Sequence, residues 1–307
     1  MVVLNPSPEV LESAAARIRA GGVVVIPTET VYGLACSALD AAAVRRVFEI
    51  KGRPNEHPLI VHVEGIAQAR QVASEWPPEA QLLAERFWPG PLTLVLPRRS
   101  IVPPETAGGL DTVAIRMPAH PVAADLIHRV GVPLAAPSAN LFMGLSPTDA
   151  QSIDPAIMVD VEMVIDGGPC EVGLESTVVD LSDGAPRILR PGGIGRADIQ
   201  SALGRPLGEI PPNSIRRSPG MHPRHYAPRA RVILVESVAP DRPGLVLGEP
   251  ANDLQIRLPA EARAYGAMLY SSLRRLDLQG VEEIWVELPP AGDEWEAVQD
   301  RLRRASA

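Results

Sequence analysis

Val10, Leu11, Ala14, Ala15 and Ile18 recur at helical spacing behind Ser7-Pro8-Glu9. Ser7 is suited to cap such a helix, and Pro8 to open it, because the first turn needs no N–H from that position. Gly21-Gly22 ends the stripe, and the unbroken run Val23-Val24-Val25-Ile26, closed by Pro27, reads as a short buried strand. The same signals continue downstream. Strands are predicted at 59–63, 92–96, 112–116, 133–136, 162–165, 176–181 and 187–189. Helices are predicted at 41–50, where Asp40 is a cap, and at 66–73, 78–87, 121–130, 148–153 and 197–203. Strands and helices mix without strict alternation, which predicts an α/β domain with a twisted, mixed sheet.

The pattern breaks at Pro206. Six prolines fall between Pro206 and Arg229 with no apolar period, the composition of a semi-rigid linker. Apolar residues resume at Arg231-Val232-Ile233-Leu234-Val235 as a strand, then a helix at 260–276, a strand at 283–288 and a helix at 293–304. The predicted organisation is a domain over 1–205, a linker over 206–230 and a small α/β domain over 231–307.

Composition narrows this further. A chain of 307 residues is long for one core and comfortable for two. Hydrophobic residues make up 46% and aromatics 4%, so the core must be aliphatic. A formal charge of -8 argues against gripping nucleic acid by its phosphates, although local cations remain able to hold a small anion. Cys36 and Cys170 are too few for a disulfide framework and read as reduced thiols of a cytoplasmic protein. The first twenty residues lack the apolar core of a signal peptide, and no run is long enough to span a membrane. Of 29 basic residues a single one, Lys51, is lysine. A site that needs a compact ammonium cannot take arginine freely, so this position stands out in an arginine-rich chain.

Four segments place polar residues at the ends of apolar strands, where ligand sites of α/β sheets tend to lie. The first, Pro27 to Leu34, sets hydroxyls and a carboxylate after a buried strand; it reads equally as a polar turn. The second holds Lys51-Gly52-Arg53-Pro54, with His57 and His62 downstream. Two cations around a glycine make a polyphosphate clamp, lysine as a point charge and arginine as a fork, although cations also suit a helix C-terminus. The third is Asp111 to Pro118. Thr112, Ala114 and Arg116 share one strand face there, and Arg116 is either a buried ion-pair partner or a carboxylate binder. The fourth, Ala135 to Asn140, runs small residues into Ser138-x-Asn140, which offers donors to phosphate or ribose. Neither a Walker A loop nor a strand-linked GxGxxG is present.

Together the segments resemble the YrdC-type family, the threonylcarbamoyl-AMP synthases. PTETVYGL at 27–34, KGRP at 51–54, HPLIVHV at 57–63, WPGPLTLVL at 88–96, DTVAIRMPAHP at 111–121 and APSAN at 136–140 carry the resemblance. SPT at 146–148, DGG at 166–168, GLESTVVD at 173–180 and LRPG at 189–192 follow in register. SPGMHPRHYAP at 218–228 is similar to the linker of the long form, which has a C-terminal domain. The resemblance implies a YrdC-like twisted mixed β-sheet with flanking helices, plus the small C-terminal α/β domain. It implies that L-threonine, bicarbonate and ATP give threonylcarbamoyl-AMP and pyrophosphate, with Mg²⁺ accompanying ATP. The product would go to a tRNA threonylcarbamoyl-transfer complex, without direct tight tRNA binding by this chain. By position, Lys51 and Arg53 would be catalytic. Lys51, Arg53, His57, Thr112, Ser138, Asn140, Ser146, Arg190, Arg224 and Tyr226 would contact the nucleotide, with His57 standing where the family often has Asn. Thr30, His62, Arg116, Ala136 and Ser176 would contact threonine. The linker carrying Arg224 and Tyr226 is expected to act as a lid. Two other readings keep the fold: an RNA-binding or ribosome-associated module, which the net charge opposes, and a carbamoyl-transfer domain like those of hydrogenase-maturation proteins, which carry extra segments missing here.

Overall fold

The computed structural model describes residues 3–210 and 224–307. The part of the linker from 211 to 223 lies outside the described residues. In the larger unit the strands are β1 (Val3–Leu4), β2 (Val24–Ile26), β3 (Gly33–Ser37), β4 (Ile60–His62), β5 (Leu92–Pro97), β6 (Thr112–Arg116), β7 (Leu134–Ala135), β8 (Met163–Ile165), β9 (Thr177–Asp180) and β10 (Arg187–Arg190). They form one sheet in the order β1-β8-β2-β3-β7-β4-β6-β5-β9-β10. The sheet is mixed: β4 runs parallel to β6 and β5 to β9, whereas β5–β6, β4–β7 and β2–β3 are antiparallel.

The helices are α1 (Pro8–Arg19), α2 (Ala41–Lys51), α3 (Ile66–Val72), α4 (Pro78–Phe87), α5 (Pro121–Val130), α6 (Pro155–Asp160) and α7 (Arg196–Leu203). The Ser7 side chain accepts a hydrogen bond from the Val10 N–H, and Leu11, Ala14, Ala15 and Ile18 are the buried face of α1, as the sequence pattern requires. Strand alternation splits the core into two layers. Val24 and Ile26 pack with α1 and α5, whereas Val23 and Val25 face Val44, Val47 and Phe48 of α2.

The second unit contains β11 (Arg231–Val235), β12 (Gly244–Val246), β13 (Gln255–Arg257), α8 (Ala262–Leu278), β14 (Glu283–Glu287) and α9 (Glu296–Ala305). Its four strands are all parallel, in the order β11-β14-β12-β13. The two units share a core. Val31, Leu145 and Leu174 of the first pack with Tyr265, Leu269, Tyr270, Leu273 and Leu302 of the second. A Cβ on Gly173, which has φ 69, would lie 2.6 Å from the Ala267 backbone, so glycine is needed where α8 crosses. Among the described residues no helix is long and apolar enough to cross a membrane.

The differences from the sequence reading fall on short or tightly paired elements. Strand β3 was not predicted: Gly33, Ala35 and Ser37 have little intrinsic strand preference, and the ladder comes from β2 and β7 on either side. The predicted helix at 148–153 is a 3₁₀ turn at Ala150–Ser152, and helix α6 follows it behind an Asp154 cap. Strands β1, β12 and β13, of two or three residues each, carry too little pattern to be seen. The last predicted helix divides into a 3₁₀ turn at Asp293–Trp295 and α9.

Candidate active site

Lys51 is the last residue of α2, and Gly52 caps that helix in the left-handed conformation at φ 58. The turn directs the lysine inward. It is buried at 3% exposure, and its Nζ donates to the carbonyls of Ser138 (2.5 Å) and Asn140 (2.6 Å). The Ser138–Asn140 loop is itself pinned. Ser138 bridges to Gly33, and the Ala139 N–H donates to the Tyr32 carbonyl at 2.8 Å. Asn140 Nδ2 donates to the carbonyls of Leu141 (2.7 Å) and Gly144 (2.9 Å). Arg53 lies against Phe48, 5.7 Å from the ring centroid, and donates to the Pro58 carbonyl at 3.2 Å. Among the described residues neither Lys51 nor Arg53 has a carboxylate in ion-pair range. Burial and then the neighbouring Arg53 push the Lys51 ammonium well below its ordinary value, with Glu175 opposing. A buried ammonium beside a half-buried guanidinium, with no carboxylate paired to either, is costly unless an anion joins them.

Sheet register builds the other end of the cleft. His62 on β4 pairs with Arg116 on β6, and Arg116 pairs with Thr93 on β5, so the three lie side by side across the sheet. Thr93 Oγ1 and Ser176 Oγ are 2.7 Å apart. The Arg116 guanidinium donates to Thr30 Oγ1 (2.8 Å) and to the Gly90 carbonyl (3.2 Å), and pairs with Glu29 at 2.6 Å. Burial would push the Glu29 carboxyl up, but Arg116 outweighs it and holds the group low. Below, Ile60, Val95, Ala114, Val178 and Leu189 form a small apolar floor.

One cleft, enclosing about 640 Å³ with its mouth, is lined by Thr30, Lys51, Arg53, His62, Arg116, Ala136, Ser138, Asn140, Ser176, Arg190 and Tyr226. These positions are far apart in the chain, and the fold brings them together. His57, Thr112, Ser146 and Arg224 do not line it. Thr112 starts β6, four residues before Arg116, roughly 13 Å away along an extended strand. Ser146 turns its hydroxyl to Glu175 Oε1 at 2.6 Å. His57 is half-buried beside Phe142, with ring centroids 5.7 Å apart, and Arg224 is exposed. The sequence reading passed over Thr28, Phe142, Met143, Glu175 and His225, which do line the cleft. Glu175 stands within the GLESTVVD motif beside Ser176 and His225 precedes Tyr226, so both had a signal; Phe142 and Met143 had none.

The walls are strained and underpaired. Met143 (φ 68) and Tyr226 (φ 58) are the non-glycine residues with positive φ among those described, and both are in the lining. They are tied together by the Ala227 N–H donating to the Met143 carbonyl at 3.1 Å. Such backbone persists where surrounding contacts over-determine it, commonly at functional sites. Arg53 Nε, His62 Nδ1, Asn140 Oδ1, His225 Nδ1 and the Tyr226 hydroxyl are buried without a hydrogen-bond partner. Native interiors pair nearly all such atoms, so their concentration here points to a polar ligand.

His62 and His225 are held neutral. Burial, with Arg116 adding to it, pushes His62 down to about 3; burial, with Lys51 and Arg53 adding and Glu175 opposing, pushes His225 down to about 3. Both folded values lie below the ordinary 6.5, so the unfolded chain takes up protons first as pH falls. The stability these two residues contribute is complete above pH 6.5 and is lost progressively towards pH 3. Urea midpoints are therefore expected to fall across that window, and His62→Gln to flatten the fall. An unchanged slope in the variant would contradict this assignment.

Comparison with known proteins decides the family. The family model Sua5_yciO_yrdC, described as "Telomere recombination", matches residues 16–192, and the model "Threonylcarbamoyl-AMP synthase, C-terminal domain" matches residues 194–307. A threonylcarbamoyl-AMP synthase of Pyrococcus abyssi is 41% identical over 95% of this chain and 93% of its own length. The chain belongs to the threonylcarbamoyl-AMP synthase family. A Bacillus subtilis synthase is 37% identical over 99% of this chain and 94% of its own. The crystal structure of P. abyssi Sua5 complexed with L-threonine superposes on this member of the family with a TM-score of 0.90 at 39% identity, covering 100% of this chain and 98% of that one. Its two family-model matches meet where the larger sheet ends, just before α7.

Proposed function

We propose that this chain condenses L-threonine, bicarbonate and ATP into threonylcarbamoyl-AMP and pyrophosphate. The observation that carries the reading is the cleft itself. It joins an unneutralised cationic end, Lys51 and Arg53, to an end with a buried arginine fork, Arg116, beside Thr30 and His62. The P. abyssi relative complexed with L-threonine supports threonine as a ligand, and the arginine fork is the group suited to its carboxylate.

In this reading Arg116 forks onto the threonine carboxylate. Thr30 and neutral His62 select the threonine hydroxyl, because buried polar groups reject an analogue that leaves them unpaired. The threonine amine forms an N–C bond to bicarbonate with loss of water, or to CO₂ with loss of a proton to solvent, and becomes a carbamate. The carbamate oxygen then attacks the α-phosphorus of ATP, a P–O bond forms, and the bond to the departing pyrophosphate breaks. No protein nucleophile is required, since positioning and charge neutralisation supply the catalysis. Lys51 and Arg53 hold the triphosphate, with Ser138 and Asn140 along the nucleotide. Among the described residues no group of three or more His, Cys, Asp or Glu side chains is arranged to hold a metal ion. Mg²⁺ is proposed to arrive with ATP, held by its phosphates and water as is usual for this ion, where it would neutralise phosphate charge. Transfer of the product to a tRNA-modifying complex and a cytoplasmic setting, in which the free cysteines Cys36 and Cys170 stay reduced, complete the proposal.

Incubating the protein with ATP, threonine and bicarbonate is expected to yield pyrophosphate and an adenylate identifiable by mass spectrometry. ATP turnover indifferent to threonine and bicarbonate would sink the reading.

A further inference from the structure

Glu175 is a puzzle at a site meant for phosphates. It lines the cleft at 6% exposure and is ionised: burial would push its carboxyl up, but Arg301 and Arg190, with the Ser146 hydrogen bond, hold it at about 2. A bare carboxylate there would repel a triphosphate or take a cleft cation for itself. It is not bare. The Ser146 hydroxyl donates to Oε1 at 2.6 Å, and the Tyr270 hydroxyl (2.9 Å) and Arg301 Nε (2.8 Å) donate to Oε2. Two of these three donors come from the C-terminal unit, on α8 and α9.

Arg301 does more than pair with Glu175. It is 1% exposed, its guanidinium carbon lies 4.8 Å from the centroid of the Tyr226 ring, and Nη2 donates to the Pro191 carbonyl at 3.0 Å. Nη1 pairs with Asp300 at 2.7 Å. Tyr226 also stacks on Tyr270 at 5.8 Å, which helps to hold its left-handed backbone. The Pro191 turn is equally tight: a Cβ on Gly192 would lie 2.3 Å from the Glu175 carbonyl oxygen. One side chain of the second unit thus touches the cleft acid, the linker aromatic and the turn after Arg190.

We propose that Arg301 is a positioning residue of the synthase, which sets ATP affinity by neutralising Glu175 from behind and seating Tyr226 over the cleft. The C-terminal unit thereby supplies the charge that keeps Lys51 and Arg53 available to the triphosphate. This rests on the cleft being the ATP site.

The test is a set of variants assayed for KM of ATP and of threonine. Arg301→Gln removes the charge but keeps a donor for Glu175; it is expected to raise the KM for ATP at least about tenfold and move that for threonine less than about threefold. Arg301→Lys keeps the charge and should stay within about threefold of the parent for ATP. Adding Glu175→Gln to Arg301→Gln makes a neutral amide pair and should recover most of the lost ATP affinity. A packing role would leave that rescue absent and would penalise lysine as much as glutamine, and either result overturns the proposal. If Arg301→Gln alone does not fold, the double variant decides: a KM for ATP about tenfold or more above the parent refutes the charge argument. A parent protein that binds no ATP would instead refute the functional reading.

Discussion

Lys51→Met is expected to lower kcat/KM for ATP by about a thousandfold, on the order of 4 kcal/mol in the barrier. The substitution nearly preserves volume but removes the one ammonium of the cleft. It also leaves the Ser138 and Asn140 carbonyls without the donor now 2.5 and 2.6 Å away. The charge that meets the triphosphate and the staple that shapes the nucleotide loop are lost together. Lys51→Arg separates the two contributions. It keeps the charge, but a planar fork must fit where a compact group sits between two carbonyls at 3% exposure. At least about a tenfold loss is expected, on the order of 1.4 kcal/mol. Steady-state kinetics with varied ATP measures both, and thermal unfolding checks that each variant folds. Near-normal activity in Lys51→Arg would mean that the single lysine of the chain is incidental.

Arg116→Lys should raise the KM for threonine at least about thirtyfold, on the order of 2 kcal/mol, with a change below about threefold for ATP. The guanidinium satisfies Thr30 and Gly90 and pairs with Glu29 while offering its remaining N–H groups to a carboxylate. A lysine ammonium has three donors and no plane, so it cannot serve all of these at once. It would also leave Glu29, 7% exposed, less well matched. Equal effects on both substrates would show that Arg116 holds the sheet together rather than reading threonine.

The fold brings many of the residues chosen at strand ends into one cleft and leaves others outside it. Motif residues on β4 and β6 and after β7 converge because those three strands are consecutive in the sheet, and β3 alone separates them from β2, whose following loop completes the cleft. Thr112 shares the face of Arg116 but stands at the opposite end of the same strand; periodicity fixes a face, not a depth. Ser146 belongs to a motif segment, yet its hydroxyl serves Glu175, a partner 29 residues away in sequence.

The amino-acid sequence by itself determined the helices with capped, periodic faces, the longer strands, the family and most of the polar residues of the cleft. These are local or motif properties, written in the spacing of neighbouring residues. Strand order, the pairing that makes β3 a strand, the neutral state of His62 and His225, and the junction of Glu175, Tyr226 and Arg301 were decided by the tertiary structure alone. Each depends on burial and on contacts between distant segments. Lys51 lies at both levels: the sequence marks it as the single lysine, and the fold takes away its water and gives it two carbonyls and a cationic neighbour in place of a carboxylate.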